Sequence, residues 1–227
     1  MNKKLHLKIL LLLSILLFLG YLLFTYLLIN HVFFFQKIDF DTTVKLQDKL
    51  SRKFDFPFSL LSLLGLAEIT SIIGICFFLI ALFKRYWLTA FSLLLFPLTA
   101  VVEIWGKENV YHPAPPKFFY RGLFEDSLPI YHIRTAYSYP SGHVARSAFL
   151  ISFLMVFVYL KMNKNPWALF ILGTALFSMI VSRIYLGEHW TTDTIGGLLM
   201  GSSFGILSAT TILIKDLKIF KKQVKVS

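Results

Sequence analysis

Long runs of uncharged, apolar residues recur along the whole chain and constrain its fold more than any other feature. The first run, residues 9–29, is long enough for a helix to cross about 30 Å of hydrocarbon. A secretory signal peptide would have a shorter apolar region and a small-residue cleavage site, so we expect a retained helix. Five further spans are predicted, at residues 57–83, 86–105, 144–160, 166–181 and 194–214. The sequence therefore predicts an all-α membrane protein, in which residues 1–227 form one domain built as a bundle of six transmembrane helices.

The amino-acid composition agrees with a membrane protein and excludes a disordered chain or an ordinary water-soluble domain. Hydrophobic residues make up 56% of the chain and charged residues 15%, against roughly 45–50% and about 25% in soluble domains. The formal net charge is +11. In so apolar a chain we attribute this charge to membrane topology and anionic lipid, and we expect no nucleic-acid partner. The single cysteine, Cys76, has no partner for an intrachain disulfide.

The distribution of charge predicts the orientation in the membrane. Lysine and arginine dominate residues 1–8, 84–85, 161–165 and 215–227, which contain one acid, Asp216. The positive-inside rule therefore places these segments and both termini in the cytoplasm. On the opposite side, residues 37–53 mix apolar and charged residues, which is typical of either a helix along the outer interface or a solvated connector.

Three clusters of polar residues fall on the predicted outer side and indicate one shared site. They lie within residues 107–116, 139–143 and 182–193. The topology prediction did not use these residues, so their convergence on one membrane face is independent support for an active site at the outer face.

The second and third clusters contain residue types suited to phosphate chemistry. Ser141 and Gly142 precede a helix whose first N–H groups can bind an anion, although Pro-Ser-Gly is also a common turn sequence. His189 and Asp193 are spaced i, i+4, so the carboxylate can accept the Nδ1 proton and leave Nε2 as a nucleophile. The alternative for this pair is a simple hydrogen bond at a helix end. Arg183 can bind two phosphate oxygens at once, or it can reach for the membrane interface.

Two kinds of catalysis fit these residue types, namely phosphoryl transfer through a phosphohistidine and metal-assisted hydrolysis. Lys107, Arg183 and Arg146 lie in or beside the clusters, and their positive charges would repel a metal cation. We therefore favour the phosphohistidine and expect no metal site.

Taken together, the motifs resemble those of the type 2 phosphatidate phosphatase superfamily, the lipid phosphate phosphatases related to vanadium haloperoxidases. The resemblance rests on Ser182-Arg183, five residues, His189, three residues and Asp193, with Pro140-Ser141-Gly142-His143 upstream. The motifs extend over residues 107–193, and the six-helix layout extends the likeness to most of the chain.

The resemblance implies a role for each matched residue. His189 would be the nucleophile, oriented by Asp193. His143 would protonate the leaving alkoxide and later activate the water that hydrolyses the phosphohistidine. The phosphate would be held by Lys107, Ser141, Gly142, Ser182 and Arg183. No metal or organic cofactor is implied.

One position departs from the family pattern. Lys107 keeps the family's spacing, but Ala114 stands where the family has an arginine. His112 is a candidate for the missing donor, or it caps the turn that follows it. Arg121 or Arg134 can also reach in from the same loop.

Two acids lie inside the predicted spans. Glu103 precedes Lys107 by four residues, so we expect it to position that lysine. Glu68 is an ionisable group in the second span, and we expect it to be a packing residue rather than a functional one.

The sequence thus predicts a plasma-membrane enzyme that dephosphorylates a lipid phosphate or pyrophosphate at the outer leaflet. Undecaprenyl pyrophosphate, phosphatidylglycerol phosphate and phosphatidate are the candidate substrates. The alternative is a non-catalytic protein that binds or flips lipid phosphates. His143, His189 and Asp193 argue against it, because binding alone needs neither a nucleophile nor a proton donor.

Overall fold

The computed structural model describes residues 3–124, 135–162 and 164–224, and the regular structure within these ranges is helical. Nine α-helices follow one another there: α1 Lys3–Asn30, α2 Val32–Lys49, α3 Asp55–Leu63, α4 Ala67–Phe83, α5 Trp87–Ser92, α6 Leu95–Asn109, α7 Gly142–Lys161, α8 Pro166–Tyr185 and α9 Thr191–Val224. Short 3-10 turns occupy Arg52–Phe54 and Lys117–Phe119.

Five spans in the described ranges are long and apolar enough to cross a membrane. They are α1, α5 together with α6, α7, α8 and the part of α9 up to residue 214. A sixth results if α3, α4 and the turn before them count as one bent span. The chain is a multi-pass membrane protein.

Two of the predicted spans are interrupted by a break in the helix. In place of one helix over residues 57–83, α3 and α4 meet at a bend of 45°, and Gly65 lies in the bend. In place of one helix over residues 86–105, α5 ends at Ser92 and α6 begins at Leu95. Pro97 explains this second break, because it has no N–H to donate to the carbonyl oxygen of Leu93, four residues earlier in the interruption.

Capping explains where α8 begins. Asn165 precedes the helix, and its side-chain oxygen accepts hydrogen bonds from the backbone N–H groups of Trp167 (3.1 Å) and Ala168 (3.2 Å). Pro166 occupies the first turn, where its missing N–H costs nothing. The charged turn before α8 therefore ends in a well-defined helix start.

Helix α9 is the centre of the bundle and packs most extensively against α7 and α1. Gly197, Gly201 and Gly205 recur every four residues along α9 and leave no room for a side chain. They face the backbone of Ser141, Ala145 and Phe149. The order of these contacts makes α7 and α9 parallel, so both helices begin at the same end of the bundle with their positive dipole ends side by side.

The lysine-rich turns lie at the other end of the bundle. His6, near the start of α1, contacts Tyr159, near the end of α7. Lys84, after α4, and Lys161, at the end of α7, line the same groove. Within the described residues, the start of α1 and the ends of α4 and α7 therefore share one end, whereas α7 and α9 begin at the opposite end.

Helix α2 contains most of the segment that was predicted to be an interface helix or a connector. Its inner face is polar, because Asp39, Thr43 and Gln47 are buried. Its exposed side carries large apolar residues, among them Phe33, Phe34 and Phe40. The helix contacts α8 and α9, so the connector alternative does not describe these residues.

Candidate active site

The predicted nucleophile pair lies at the beginning of α9. Gly187, with φ +67°, turns the chain between α8 and α9. Nδ1 of His189 lies 3.1 Å from Oδ2 of Asp193, and the same oxygen accepts a hydrogen bond from the N–H of Trp190 at 3.0 Å. His189 is 7% exposed and Asp193 is fully buried. The structure therefore brings the predicted pair together in a site shielded from bulk solvent.

The surroundings of His189 favour its neutral form. Burial lowers the pKa of the His189 imidazole, and the hydrogen bond to Asp193 opposes this shift. The positive charges of Arg183 and Lys107 lower the pKa further. Because Asp193 accepts the Nδ1 proton, the lone pair of the neutral ring is at Nε2, as a nucleophilic attack on phosphorus requires.

His143 lies in the first turn of α7 and contacts the bend between α3 and α4. The ring packs against Gly65, where an added Cβ would lie 2.8 Å from Cδ2 of His143. The charged or titratable groups that interact with it electrostatically are Arg183, Arg146, His189 and Lys107. The predicted second histidine thus lies among the predicted nucleophile and the basic residues.

Ser141 and Gly142 form the start of α7 at this site. The Ser141 side chain is completely buried, and its Oγ has no hydrogen-bond partner among the described residues. Gly142 lies against the carboxylate of Glu103, so a side chain at this position would collide with that group. Ser182, also fully buried, donates its hydroxyl proton to the carbonyl oxygen of Met179 at 2.7 Å. Of the two serines predicted to bind phosphate, Ser141 is therefore the one whose hydroxyl is available to a ligand.

Glu103 holds two of the basic groups. It accepts hydrogen bonds from Nζ of Lys107 at 2.8 Å and from Nη1 of Arg146 at 2.6 Å. The prediction that Glu103 positions Lys107 is confirmed. Arg146 is buried on α7 and joins the same network, so the fixed carboxylate orders two cations that an anionic ligand can share.

Arg183 is paired in a similar way. Its Nη1 contacts the carboxylate of Glu188 and the hydroxyl of Ser62. Ser62 lies near the end of α3 and carries no motif, so no local signal in the sequence marks it. Glu188 directly precedes His189 and lies within the third polar cluster of the sequence, residues 182–193. It holds the guanidinium in the place where the resemblance predicts phosphate binding.

His112 does not join the predicted phosphate-binding residues. It is 2% exposed, with Nδ1 3.0 Å from Oδ1 of Asp193 and Nε2 3.3 Å from Oδ2 of Asp39. Burial disfavours the charged ring, but the adjacent carboxylates of Asp193 and Asp39 outweigh it and raise the pKa of His112 to about 9. Because both ring nitrogens face carboxylates, His112 lies behind the nucleophile pair and is not placed to replace the arginine absent at Ala114.

Two other residues that the sequence pointed to, Arg121 and Glu68, lie elsewhere. The Nη1 atom of Arg121 is 3.2 Å from the hydroxyl of Tyr185, and its guanidinium lies over the Tyr185 ring. This stacking holds Arg121 beside the end of α8. Arg134 falls outside the described residues. Glu68 is exposed in the first turn of α4, where its charge complements the helix dipole, so the prediction of a packing residue was wrong.

Within the described residues, no three His, Cys, Asp or Glu side chains are arranged to hold a metal ion. The geometry instead joins a buried His–Asp pair, a second histidine and three basic side chains.

A family comparison agrees with this geometry. Residues 107–215 match the PAP2 superfamily, the type 2 phosphatidate phosphatase group that the motifs resemble. The chain therefore carries a PAP2 superfamily domain. The matched range includes every residue that the resemblance assigned to catalysis or phosphate binding, but not Asp39, Ser62 or Gly65.

Two curated relatives match part of this domain. An undecaprenyl-diphosphatase of Sulfolobus acidocaldarius is 43% identical over 74 residues, which cover 33% of this chain and 33% of the relative. Phosphatidylglycerophosphatase B of Bacillus subtilis is 30% identical over 80 residues, which cover 34% of this chain and 39% of the relative. The matched segments thus span between a third and two fifths of the length of these relatives.

The fold also matches a solved structure. The crystal structure of a transmembrane PAP2-type phosphatidylglycerolphosphate phosphatase from Bacillus subtilis superimposes with a TM-score of 0.64. The alignment covers 93% of this chain and 96% of that protein at 21% sequence identity. The predicted all-α membrane fold is confirmed.

Proposed function

We propose that this protein is a membrane lipid phosphatase that hydrolyses a phosphomonoester or pyrophosphate of a lipid through a phosphohistidine at His189. The observation that carries the proposal is the buried hydrogen bond between Nδ1 of His189 and Asp193. A protein that only binds lipid phosphate has no need of a nucleophile held in this way. The names of the two curated relatives, both phosphatases, support the same reaction.

In the proposed reaction, Nε2 of His189 attacks phosphorus and forms the N–P bond while the bond to the leaving oxygen breaks. Asp193 stabilises the positive charge that develops on the imidazole. His143 donates a proton to the leaving oxygen, and then accepts one from the water that attacks the phosphohistidine. Inorganic phosphate leaves and His189 returns to its neutral form.

The phosphate oxygens carry negative charge throughout this reaction, and the basic residues of the site supply the compensation. Lys107 and Arg183 offer charge-assisted hydrogen bonds, and Ser141 adds an uncommitted hydroxyl at the positive end of α7. Fixed donors of this kind stabilise the transition state without reorganisation. All steps use side chains of this chain, so the proposed reaction needs neither a metal ion nor an organic cofactor.

The proposed substrates are undecaprenyl pyrophosphate, phosphatidylglycerol phosphate and phosphatidate. The names of the relatives support the first two. We also propose that the protein lies in the plasma membrane with its site at the outer leaflet. The supporting observation is that the site lies at the bundle end opposite to Lys84 and Lys161.

The test is phosphate release by the purified protein in detergent, measured across these lipids with and without EDTA. We expect release from at least one lipid, unchanged by the chelator and inhibited by vanadate, which mimics pentacoordinate phosphorus. Loss of release in EDTA that a divalent ion restores would favour metal catalysis. Saturable lipid binding without any release would favour the non-catalytic alternative.

The intermediate can be tested directly. Rapid quenching of the enzyme with a ³²P-labelled lipid phosphate should trap a phosphoprotein that is stable in alkali and labile in acid, as phosphohistidine is. His189→Ala should form none and turn over no substrate, whereas Asp193→Asn should retain partial activity because the nucleophile remains. Phosphoprotein formed by His189→Ala would place the nucleophile elsewhere.

A further inference from the structure

Asp39 of α2 reaches the site from outside the PAP2 domain. Its side chain is 1% exposed. Its Oδ1 accepts a hydrogen bond from the backbone N–H of Thr192 at 2.9 Å, and its Oδ2 accepts one from the Thr192 hydroxyl at 2.7 Å. The same Oδ2 lies 3.3 Å from Nε2 of His112. A buried carboxylate from a distant helix is therefore fixed directly behind the first turn of α9.

The hydrogen-bond partners of His112 determine its protonation. Nδ1 faces Oδ1 of Asp193 at 3.0 Å and Oγ of Ser138 at 3.3 Å, and the Ser138 proton is donated to the carbonyl oxygen of His112. Nε2 faces Oδ2 of Asp39 and, at 3.1 Å, Oγ1 of Thr192, whose proton is donated to Asp39. The two carboxylate oxygens can act only as acceptors, and each hydroxyl already donates its proton elsewhere, so this arrangement favours a ring in which both nitrogens donate. Such a ring is an imidazolium.

We propose that Asp39 and His112 are positioning residues that hold Asp193 ionised and aimed at His189, so that the catalytic pair is the end of a chain of four side chains. The chain runs from His189 through Asp193 and His112 to Asp39. This inference rests on the proposed function, because it assigns the four residues to the same reaction.

The charges on these four side chains explain why Asp39 and His112 are needed. A buried carboxylate is unfavourable unless it is paired, and Asp193 is fully buried. The imidazolium of His112 pairs with Asp193, and Asp39 in turn keeps His112 charged. Asp39, His112 and Asp193 together then carry one net negative charge. This charge complements the positive charge that His189 gains when Nε2 bonds phosphorus.

The other groups around His112 leave this charge balance intact. Tyr139 lies edge-on to the His112 ring, with centroids 6.3 Å apart. Burial raises the pKa of Tyr139 well above its ordinary value, so the phenol stays neutral. Among the described residues, the charged groups that face the His112 ring are therefore Asp193 from α9 and Asp39 from α2. The raised pKa of His112, about 9, agrees with the hydrogen-bond pattern.

A double-mutant cycle tests the catalytic part of the proposal. His112→Gln and Asp39→Asn should each lower kcat on the order of 10- to 100-fold and leave KM within about two-fold, because neither residue touches the phosphate. In an Asp193→Asn background, His112→Gln should cost almost nothing more, since it acts through the lost carboxylate. An unchanged kcat in His112→Gln, or an equal further loss in the Asp193→Asn background, would overturn the proposal.

Gln47 provides a matched structural control on the same helix. It is buried, and its side-chain amide donates to the carbonyl oxygens of Phe119 (2.7 Å) and Tyr185 (2.8 Å). Gln47→Ala should lower the thermal stability of the protein without lowering kcat. If Gln47→Ala reduced kcat as much as Asp39→Asn does, α2 would support the fold of the site in general. The proposed chain of four side chains, from His189 to Asp39, would then be refuted.

The protonation of His112 can be measured independently of turnover. In protein labelled with ¹⁵N-histidine, with the His112 signals assigned from their absence in His112→Gln, both ring nitrogens should show imidazolium shifts at pH 8. The ring should lose its proton near pH 9, and at a lower pH in Asp39→Asn. A neutral His112 ring at pH 7 would overturn the proposal. If the wild type released no phosphate from any lipid, the proposed function would fail, and this spectrum would still decide the charge on His112.

Discussion

An added Cβ atom on Gly65 would lie 2.8 Å from Cδ2 of His143, so the bend between α3 and α4 fixes the ring of the proposed general acid. A contact this close cannot form unless the His143 ring or the bend moves. We therefore predict that Gly65→Ala lowers kcat on the order of 10- to 100-fold, because displacing a catalytic group by about 1 Å has an effect of this size. Steady-state phosphate release measures the change.

Gly173 offers a control for this prediction. It lies in α8, and an added Cβ there would meet no atom within 4 Å. Gly173→Ala should retain wild-type kcat, and its helix should gain a little stability from the better helix former. If Gly65→Ala retained wild-type kcat as well, the bend would have no part in holding His143.

The pKa of His189 predicts the acid limb of the pH profile. Its neutral ring is the nucleophile, and burial lowers its pKa from the ordinary histidine value of about 6.5. The neutral form therefore persists as the pH falls through 6.5 and is lost only below it. We therefore expect the acid limb of kcat/KM, which reports the free enzyme, to be centred below pH 6.5.

Two comparisons assign this limb to the protein. Replacing a phosphomonoester with a pyrophosphate should leave the limb in place if it reflects His189 rather than the substrate. Asp193→Asn replaces the carboxylate that raises the pKa of His189 with a neutral amide, so the limb should move to still lower pH. A limb centred at pH 7 or above in the wild type would contradict the neutral, buried nucleophile.

Local patterns in the sequence predicted the parts of the site that depend on one helix turn. The i, i+4 spacing of His189 and Asp193, and that of Glu103 and Lys107, needs only helix geometry, and both pairs form in the structure. His112 was assigned by its nearness to Ala114 along the chain. Its actual partner Asp39 comes from α2, and no local pattern reports such a long-range contact.

For the fold as well, local sequence patterns predicted some features and missed others. Runs of apolar residues predict where helices lie, but they do not show that two of the spans are broken. The bend at Gly65 and the interruption before Pro97 depend on single residues within otherwise continuous apolar runs. The small-residue pattern at Gly197 and Gly201 becomes informative only once α7 is known to lie against it.

Restoring the arginine at Ala114 separates the two possible roles of His112. Ala114 is exposed, and the carbonyl oxygen of the preceding Pro113 accepts a hydrogen bond from Nε1 of Trp190 at 2.7 Å. This bond ties the loop to the residue after His189. Ala114→Arg should therefore lower KM by about 10-fold, as expected for one added charge-assisted hydrogen bond. It should not restore the kcat of His112→Gln, because His112 acts through Asp193.

Ala114→Gln is the matched control, because it adds a side chain without the charge and should leave KM close to the wild-type value. Recovery of kcat in the Ala114→Arg, His112→Gln double variant would instead indicate that His112 donates a hydrogen bond to the substrate phosphate, as its position in the sequence first indicated.

The orientation of the site in the membrane can be tested with two single cysteines. The native Cys76 is exposed, so both are introduced in a Cys76→Ser background. Lys117 is exposed in the turn that packs beside Trp190 at the site's end of the bundle, and Lys84 is exposed at the opposite end. Because lysine-rich ends stay in the cytoplasm, Lys117→Cys should react with a membrane-impermeant maleimide added to intact cells. Lys84→Cys should react only after permeabilisation, and the reverse pattern would move the proposed chemistry to the cytoplasmic leaflet.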